Sequence, residues 1–296
     1  MIRYQGFTKR FGAITAVDSL SLEIGRGEIV ALLGPNGSGK TTTLKAAAGL
    51  LAPTDGTVVV GDPPRPSTAA GARRAISFLP QRVSFPDSLT GREVLDFYRR
   101  LRGIDAGRSD AVLRFASLNG ASNRLVGTYS GGMTQRLGLA VAALPQAEVL
   151  LLDEPTAALD PDGLCAFYGL AVEIRKDNRT VFFTSHHLGD VEQLADRFGI
   201  LVAGKLVALM TARELAERLG QHAIMRLAVD RDAASILGAV RMVAPHAVAI
   251  GNELRVQAAP PSRVAVLDAI RGAGAEIQSL ATEEPRLESL YKELVS

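Results

Sequence analysis

Continuous apolar runs and helical patterns alternate along the first two thirds of the chain. Residues 29–33 and 149–152 are unbroken apolar runs, which are typical of strands buried on both faces of a parallel sheet. Segments rich in Ala and Leu, at 43–50 and 137–144, predict helices. Together the two patterns indicate an α/β domain with a parallel sheet.

A further helix is predicted between these segments, and it has its own start signal. Thr90 stands at the expected N-cap of a helix over 90–102, with Glu93 at the capping-box position. The apolar face of this helix comprises Val94, Leu95, Tyr98 and Leu101. We expect the region from about 82 to 135 to be mostly helical.

The remaining pattern divides the chain. Residues 1 to about 80 are expected to form an antiparallel β portion and the first half of the core, which residues 136 to about 204 complete. A short hairpin at 204–208 and a helix near 211–219 follow. After these, the strand-like pieces are 224–229 and 253–258, and the helix-like pieces are 263–273 and 286–294. We therefore expect one large domain over 1–220 and a small α+β domain over 221–296.

Composition narrows the functional classes. The chain has 296 residues and a formal net charge of only +2, so it offers no basic belt for a nucleic acid. A single cysteine, Cys165, excludes a disulfide framework and fits a reducing compartment. The first residues do not read as a signal peptide, and no window reaches the length of apolar sequence that a membrane helix needs.

The most specific chemistry lies between the first apolar run and the first helix. This stretch matches the pattern G-x-x-x-x-G-K-[ST] between a strand and a helix, the context of a phosphate-binding P-loop. Its residues are Gly34, Pro35, Asn36, Gly37, Ser38, Gly39, Lys40, Thr41 and Thr42. Backbone N–H groups at a helix N-terminus cradle phosphate, Lys40 would reach the β- and γ-phosphates, and the Thr41 hydroxyl would bind Mg²⁺. The flanking strand and helix make an accidental glycine-rich turn the poorer interpretation.

Two acidic residues end the second apolar run. Asp153 is placed to hold Mg²⁺ through water. Glu154 points differently and can accept a proton from an attacking water molecule. A solvated acidic loop is the alternative, and the apolar residues before the pair and Pro155 after it disfavour that.

A third motif indicates a particular protein family. It is the segment from Tyr129 to Arg136, with the sequence Y-S-G-G-M-T-Q-R. The segment resembles the signature motif of ATP-binding-cassette (ABC) ATPases, normally L-S-G-G-Q, with Tyr129 and Met133 as departures that resemble a variant of bacterial export cassettes. Ser130, Gly131 and Gly132 before a helix would form a second phosphate cradle. In isolation the same residues could be an ordinary helix cap.

Other elements stand in the order of that family. Gln81 resembles the Q-loop glutamine that senses Mg²⁺ and water, and Asp160 closes a segment, 157–160, that resembles the D-loop. His186 resembles the switch histidine, and Leu188 two residues later favours it over His187. Phe11 resembles the aromatic residue that stacks on adenine, whereas Tyr4 reads as a strand residue.

The resemblance implies a P-loop NTPase of the ABC cassette type, with a parallel core, an antiparallel β subdomain, a helical subdomain and a small C-terminal α+β domain. It implies ATP hydrolysis with Mg²⁺, a head-to-tail homodimer that sandwiches two ATP molecules, and a separate integral-membrane permease at the inner face of the cytoplasmic membrane. Lys40, Glu154 and His186 would be catalytic; Thr41, Gln81 and Asp153 would serve Mg²⁺. The C-terminal domain would stabilise the dimer, regulate it, or be an inert decoration.

The transported substrate rests on a shorter match. Residues 79–93 resemble the corresponding stretch of cassettes that serve copper-site maturation of nitrous-oxide reductase, which would imply copper or sulfur species and a periplasmic accessory protein. Drug or lipid export stays open, as does a soluble ABC ATPase unconnected with transport. A catalytically dead binding module is opposed by the presence of Glu154 and His186.

An apolar stretch after Gln81 contains Val83, Phe85, Pro86 and Leu89. We expect it to receive a helix of the permease, with Phe85 as a buried anchor. Internal packing against the helix at 90–102 is the alternative, because aromatic residues usually bury within their own chain.

Overall fold

The apolar runs of the sequence become the central strands of a six-stranded sheet. The computed structural model describes residues 1–157, 159–186, 193–211, 213–214 and 223–283, and the chain divides into one unit of Met1–Thr211 and a second of Ala212–Ser296. The strands of the first unit are β1 (Ile2–Phe11), β2 (Ile14–Ile24), β3 (Ile29–Leu33), β4 (Asp55–Val60), β5 (Arg65–Pro66), β6 (Ile76–Leu79), β7 (Val149–Asp153), β8 (Thr180–Ser185), β9 (Arg197–Val202) and β10 (Lys205–Thr211). Its helices are α1 (Lys40–Ala47), α2 (Ala70–Arg74), α3 (Gly91–Arg102), α4 (Gly107–Phe115), α5 (Gly131–Ala143) and α6 (Pro161–Lys176).

The large sheet has the strand order β10-β9-β3-β8-β7-β6, parallel except for the edge pair β10–β9. Every residue of β3, β7 and β8 is buried, as continuous apolar runs predict for strands covered on both faces. Because these strands run parallel, the segments that follow β3, β6, β7 and β8 leave the sheet at one edge, where ligands bind in open α/β sheets.

A second sheet of the first unit has the order β2-β1-β4-β5 and is antiparallel. Its residues alternate: Leu20, Leu22 and Ile24 of β2 are buried, and Ser21 and Glu23 between them are exposed. The expected antiparallel β portion is confirmed.

Helix α3 begins where the sequence predicts. Thr90 accepts a hydrogen bond from the backbone N–H of Glu93, and the Glu93 carboxylate accepts one in return from the N–H of Thr90, which completes the capping box. Val94 and Leu95 are buried. Leu101 belongs to the same apolar face by its spacing, but its side chain is 68% exposed, so the face is buried only in part. The fully buried residues of α3, Gly91, Val94 and Leu95, all lie in its first half.

The second unit contains β11 (Ile224–Val229), α7 (Leu237–Arg241), β12 (Val248–Ile250), β13 (Glu253–Gln257), α8 (Arg263–Gly272) and β14 (Ile277–Glu283). Its antiparallel sheet has the order β12-β13-β11-β14. Residues of β11 and β13 pack with Val240 of α7 and with Val266 and Ile270 of α8. The strand and helix patterns of the tail are confirmed, whereas the helix predicted at 286–294 and most of the one near 211–219 lie outside the described residues.

None of the helices in the described ranges combines the length and hydrophobicity that a bilayer crossing requires.

Candidate active site

The P-loop joins the end of β3 to the start of α1. Its glycines adopt backbone angles that favour glycine, with φ of 81° at Gly37 and 105° at Gly39. A Cβ at Gly39 would overlap the carbonyl oxygen of Ala16, whereas one at Gly37 would meet open space. Gly39 is also the N-cap of α1 and offers no side chain to cap it, so that helix N-terminus is suited to bind an anion.

The loop borders a cavity of about 330 Å³. The cavity is lined by Ala16, Asn36, Gly37, Ser38, Gly39, Lys40, Thr41, Thr42, Gln81 and Glu154. The structure therefore brings most of the P-loop together with Gln81 and Glu154, from segments that follow β6 and β7. Gly34 and Pro35 contribute through their carbonyl groups.

Lys40 carries the positive charge of this cavity. Its side chain is 6% exposed, and Nζ donates hydrogen bonds to the carbonyl oxygens of Gly34 (2.7 Å) and Pro35 (3.2 Å). Nζ also lies 3.7 Å from Oε1 of Glu154. The buried hydroxyl of Ser38 has no hydrogen-bond partner in the structure. A buried ammonium and an unsatisfied hydroxyl in a glycine cradle fit the phosphate groups of a nucleotide.

Asp153 accepts hydrogen bonds from two hydroxyl groups. Thr41 Oγ1 donates to Asp153 Oδ1 at 3.2 Å, and Thr184 Oγ1 donates to the same oxygen at 2.8 Å. Asp153 is 1% exposed. A carboxylate beside a hydroxyl is the oxygen donor set that suits Mg²⁺.

Glu154 stands in an unusual backbone conformation, with φ of 48°. Its N–H donates to Thr184 Oγ1 at 2.8 Å, which helps to hold that conformation. Positive φ at a non-glycine residue costs energy and is concentrated at functional sites. The conformation directs the Glu154 side chain into the cavity instead of leaving it on the line of β7.

The Glu154 carboxylate lies within 4 Å of three other predicted site residues. Oε2 accepts a hydrogen bond from Nε2 of Gln81 at 3.1 Å and lies 3.4 Å from Nδ1 of His186, while Oε1 faces Lys40. Glu154 itself is 7% exposed. The structure thus joins residues that lie far apart in the sequence into one polar cluster. His187, the alternative to His186, lies outside the described residues, as does Leu188, whose spacing favours His186.

The signature residues lie elsewhere. Ser130 is the N-cap of α5, where its hydroxyl accepts a hydrogen bond from the N–H of Met133 at 3.2 Å, and Gly131 and Gly132 begin the helix. Ser130 and Gly131 are exposed, and none of the three residues lines the cavity beside the P-loop. Ser130 is therefore a helix cap, which was the alternative interpretation of this motif, and the glycine turn beside it remains open to solvent.

Asp160 also lies away from the cavity wall. Its carboxylate caps α6 by accepting from the N–H of Gly163 at 2.9 Å, and it accepts from Nη2 of Arg136 at 3.3 Å. A second hydrogen bond links α5 to the segment between β7 and α6, since Gln135 Nε2 donates to the carbonyl oxygen of Pro155 at 3.4 Å. Helix α5 is thereby tied to the segment that follows Glu154, of which Ala158 is outside the described residues.

Phe11 ends β1 and is 48% exposed, with Lys9 Nζ 5.2 Å from its ring centroid. It does not line the described cavity, whereas Ala16 does. Tyr4 is a buried strand residue, as predicted, and its hydroxyl donates to the carbonyl oxygen of Thr43 at 2.8 Å.

Thr184 was missed by the sequence analysis. It touches both acidic residues, through the side chain of Asp153 and the N–H of Glu154. Its position carries a signal that could have revealed it: a polar residue near the carboxyl end of a buried strand, two residues before His186. Ala16 carries no such signal, because a small apolar residue in a strand has no chemical mark.

Comparisons with known proteins agree with this geometry. Residues 17–157 match the family model described as ABC transporter. The chain is 31% identical over 304 residues to the linearmycin resistance ATP-binding protein LnrL of Bacillus subtilis, with 99% of this chain and 98% of that protein covered. It is 33% identical over 302 residues to the daunorubicin resistance ATP-binding protein DrrA3 of Streptomyces coeruleorubidus, with 99% and 95% covered.

A solved structure agrees with these relatives. The dimeric structure of a post-hydrolysis state of the ATP-binding cassette MJ0796, bound to ADP and Pi, superposes with a TM-score of 0.66 at 26% identity, over 72% of this chain and 99% of that one. The P-loop cradle, the polar cluster around Glu154 and full-length similarity to these relatives lead to one conclusion: the chain belongs to the ATP-binding proteins of ABC transporters and is an ATPase.

Proposed function

We propose that this chain is the energy-supplying subunit of an exporter for antibiotic-like compounds, which works as an ATP-sandwich homodimer beneath a separate permease. The dimer is proposed because the two predicted phosphate cradles, the P-loop and the Ser130 turn, lie apart within one chain. The P-loop lines the cavity around Lys40, whereas Ser130, Gly131 and Gly132 lie outside it.

In this proposal the P-loop residues 34–42 hold the triphosphate, with Lys40 exchanging its bonds to the carbonyl groups of Gly34 and Pro35 for phosphate oxygens. Phe11, exposed at the end of β1, stacks on the adenine ring. Thr41, Asp153 and Gln81 serve Mg²⁺, which when bound neutralises charge on the phosphates. The hydroxyl–carboxylate pair of Thr41 and Asp153 is the part of this site that fits the ion.

Glu154 acts as the general base. Its carboxylate is held by Gln81 on one side and lies beside Lys40 on the other, so it can accept a proton from a water molecule placed between it and the γ-phosphate. His186, 3.4 Å from Glu154 Oε2, steadies the γ-phosphate and the base together. Phosphoryl transfer needs mainly positioning and charge stabilisation, which this cluster supplies.

A second copy of the chain completes each site. Its Ser130, Gly131 and Gly132 would cap the γ-phosphate from the open face, and its Asp160 would lie at the interface through the link to Arg136. The solved cassette MJ0796 is dimeric, which supports this arrangement. The homodimer is head-to-tail because each copy presents its P-loop to the signature turn of the other.

A membrane permease is the second partner, and we place the chain at the cytoplasmic face of the membrane. Residues 83–89 form the proposed docking segment. Phe85 is half-buried, with its ring 6.2 Å from that of Tyr98 on α3 in an edge-to-face arrangement, so it is only partly engaged within the chain. We propose that its open side receives a helix of the permease. Nucleic acid is not among the proposed partners.

The names of the relatives favour drug export over the copper hypothesis. LnrL and DrrA3 are named for linearmycin and daunorubicin resistance, and a relative from Mycobacterium tuberculosis, 32% identical over 95% of this chain, for doxorubicin resistance. The copper and nitrous-oxide-reductase hypothesis, with its periplasmic accessory protein, depends on residues 79–93 alone and gains no support from these names.

The dimer proposal is tested with Glu154→Gln. The variant keeps both cradles but loses the base, so hydrolysis should fall by about 10²–10⁴-fold and an ATP-bound dimer should accumulate. Size-exclusion chromatography with ATP and Mg²⁺ measures the dimer. Adding Ser130→Arg to the same chain should prevent dimerisation while ATP binding persists. A Glu154→Gln protein that stays monomeric with saturating ATP would contradict the sandwich.

The substrate proposal is tested in the host. Loss of this chain should lower the minimal inhibitory concentration of a panel containing linearmycin, daunorubicin and doxorubicin, and the wild-type chain but not Glu154→Gln should restore it. Unchanged resistance to the whole panel, together with a loss of nitrous-oxide reductase activity, would favour the copper hypothesis instead.

A further inference from the structure

A second polar cavity lies between α4 and α6, away from the nucleotide site. Its volume is about 320 Å³, close to that of the P-loop cavity, and the two share no lining residue. The walls come from α4, from the end of α5 and the turn after it, and from the second half of α6 with the turn before β8. The polar lining residues are Arg108, Gln146, Glu173, Lys176, Asp177 and Arg179.

Arg179 forms the buried part of this cavity and is only 8% exposed. Its Nε donates to the carbonyl oxygen of Ala147 at 2.7 Å, which fixes the guanidinium group. Nη1 lies 4.0 Å from a carboxylate oxygen of Asp177, too far for a good hydrogen bond. Nη2 is buried and has no hydrogen-bond partner in the structure. A buried guanidinium with an unused donor is costly unless something accepts from it.

Arg108 brings a second unused donor to the same cavity. It is the second residue of α4 and is half-buried, and its Nε is buried without a hydrogen-bond partner in the structure. Burial lowers the pKa of the Arg179 guanidinium, and the nearby charge of Arg108 lowers it further, against the opposite effects of Asp177 and Glu173. Two cations that repel each other thus line one cavity, and each has an N–H group that lacks an acceptor and lies just beneath the cavity surface.

The acidic lining residues do not supply that acceptor. Glu173 and Asp177 are both exposed, as is Lys176 beside them, so these three charges stand at the solvent side of the cavity. With three positive and two negative lining residues the cavity keeps a positive excess. Apolar groups of Phe115 and Leu170 complete the wall.

We propose that this cavity is a binding site for an oxyanion, a phosphate or carboxylate group, held between Arg108 and Arg179. An oxyanion in the cavity offsets the repulsion between the two guanidinium groups, and a change of side-chain rotamer lets each unused N–H group donate to it. Because Arg108 belongs to α4 and Arg179 precedes a strand of the parallel core, the bound anion connects the helical part of the first unit to its core.

The test follows the arginine Nε–Hε resonances of wild-type protein by NMR while inorganic phosphate or acetate is added at constant ionic strength. A non-hydrolysable ATP analogue with Mg²⁺ fills the P-loop throughout, so added phosphate cannot report from there. We expect saturable shifts of the Arg108 and Arg179 resonances, with dissociation constants of roughly millimolar order. The anion that saturates at the lower concentration identifies the chemical class.

Arg108→Gln should weaken the binding measured at Arg179 by about tenfold or more, because one charge-assisted hydrogen bond is lost. Arg114→Gln, which removes a positive charge from the same helix outside the cavity, is the matched control and should bind as wild type does. Arg179→Lys serves as the second variant, since it keeps a charge but cannot make the forked contact. Absence of saturation by both anions, or equal binding by Arg108→Gln and Arg114→Gln, would overturn the proposal.

Discussion

The two units of the chain differ in what they bury. The first unit buries charged and hydroxyl groups at one edge of its parallel sheet, among them Lys40, Asp153, Glu154 and Thr184. In residues 213–214 and 223–283, the described part of the second unit, every buried residue is apolar. Burial of a polar group is costly unless it is hydrogen-bonded, so a cluster of buried polar groups indicates a functional site.

The charged residues in the described part of the second unit are instead partly or fully exposed. Arg226 pairs with Glu253 at 3.1 Å and with Glu283 at 2.6 Å across the open face of the sheet. Exposed pairs of this kind contribute little to stability. The comparison teaches that substitutions in the buried polar edge of the first unit should change chemistry, whereas those in the second unit should change stability.

Lys40→Ala is the strongest test on the chemical side. The cavity loses its only buried ammonium among the described residues, so hydrolysis should fall by about 10²–10³-fold and nucleotide affinity should drop. Steady-state phosphate release and nucleotide titration measure both. Lys45→Ala, a lysine of the same helix that does not line the cavity, is the control. Turnover at the wild-type rate in Lys40→Ala would invalidate the P-loop assignment.

Leu227→Ala tests the stability side. Leu227 is fully buried in the core of the second unit, and its truncation should cost about 2–5 kcal/mol of that unit's unfolding free energy. Its partner across the strand pair, Leu280, is 50% exposed, and Leu280→Ala should cost less than about 1 kcal/mol. Calorimetry measures both, and basal ATPase activity should stay within about twofold of wild type. An ATPase loss as large as that of Lys40→Ala would break the comparison.

Phe85→Ala separates docking from packing. Because Phe85 is half-buried against Tyr98, its loss should cost about 1–2 kcal/mol, leave basal hydrolysis near normal and weaken co-purification with the permease. Val172→Ala, at an exposed apolar position of α6, is the control. A variant that melts much earlier and still captures the permease normally would assign Phe85 to the core.

Glu28→Gln has the smallest expected effect. Burial alone raises the pKa of Glu28, but hydrogen bonds from Arg197 and from the N–H of Gly25 outweigh it, so the pKa lies below its ordinary value of 4.5. The stability gained from this lowered pKa is complete above about pH 4.5 and is lost as the pH falls below it. The variant should be less stable than wild type by about 1 kcal/mol at neutral pH, with the gap closing in acid.

Unfolding curves between pH 3 and 7 test this, with Glu23→Gln in the exposed pair with Arg3 as the comparison. A stability gap that stays constant down to pH 3 would show that Glu28 contributes by packing and not by charge.

Local patterns determined much of the structure. The P-loop glycines, the capping box of Thr90 and Glu93 and the buried runs of β3 and β7 were all readable from the sequence, because each depends on neighbours within a few residues. Leu101 marks the limit of this reasoning, because it lies on the apolar face of α3 and is nevertheless 68% exposed. Helical spacing gives a face, but which part of that face is covered depends on helices elsewhere in the chain.

The family resemblance supplied residue roles, and only the tertiary structure showed which of these residues meet. Gln81, Glu154 and His186 follow three different strands, and parallel pairing of those strands brings their side chains within hydrogen-bonding range. The same pairing places Thr184 between Asp153 and Glu154. Likewise Arg108 and Arg179 face one cavity because α4 contacts α6. The sequence by itself determined the local chemistry of each segment, whereas long-range packing decided which segments meet, since contact between distant residues depends on how whole strands and helices are arranged.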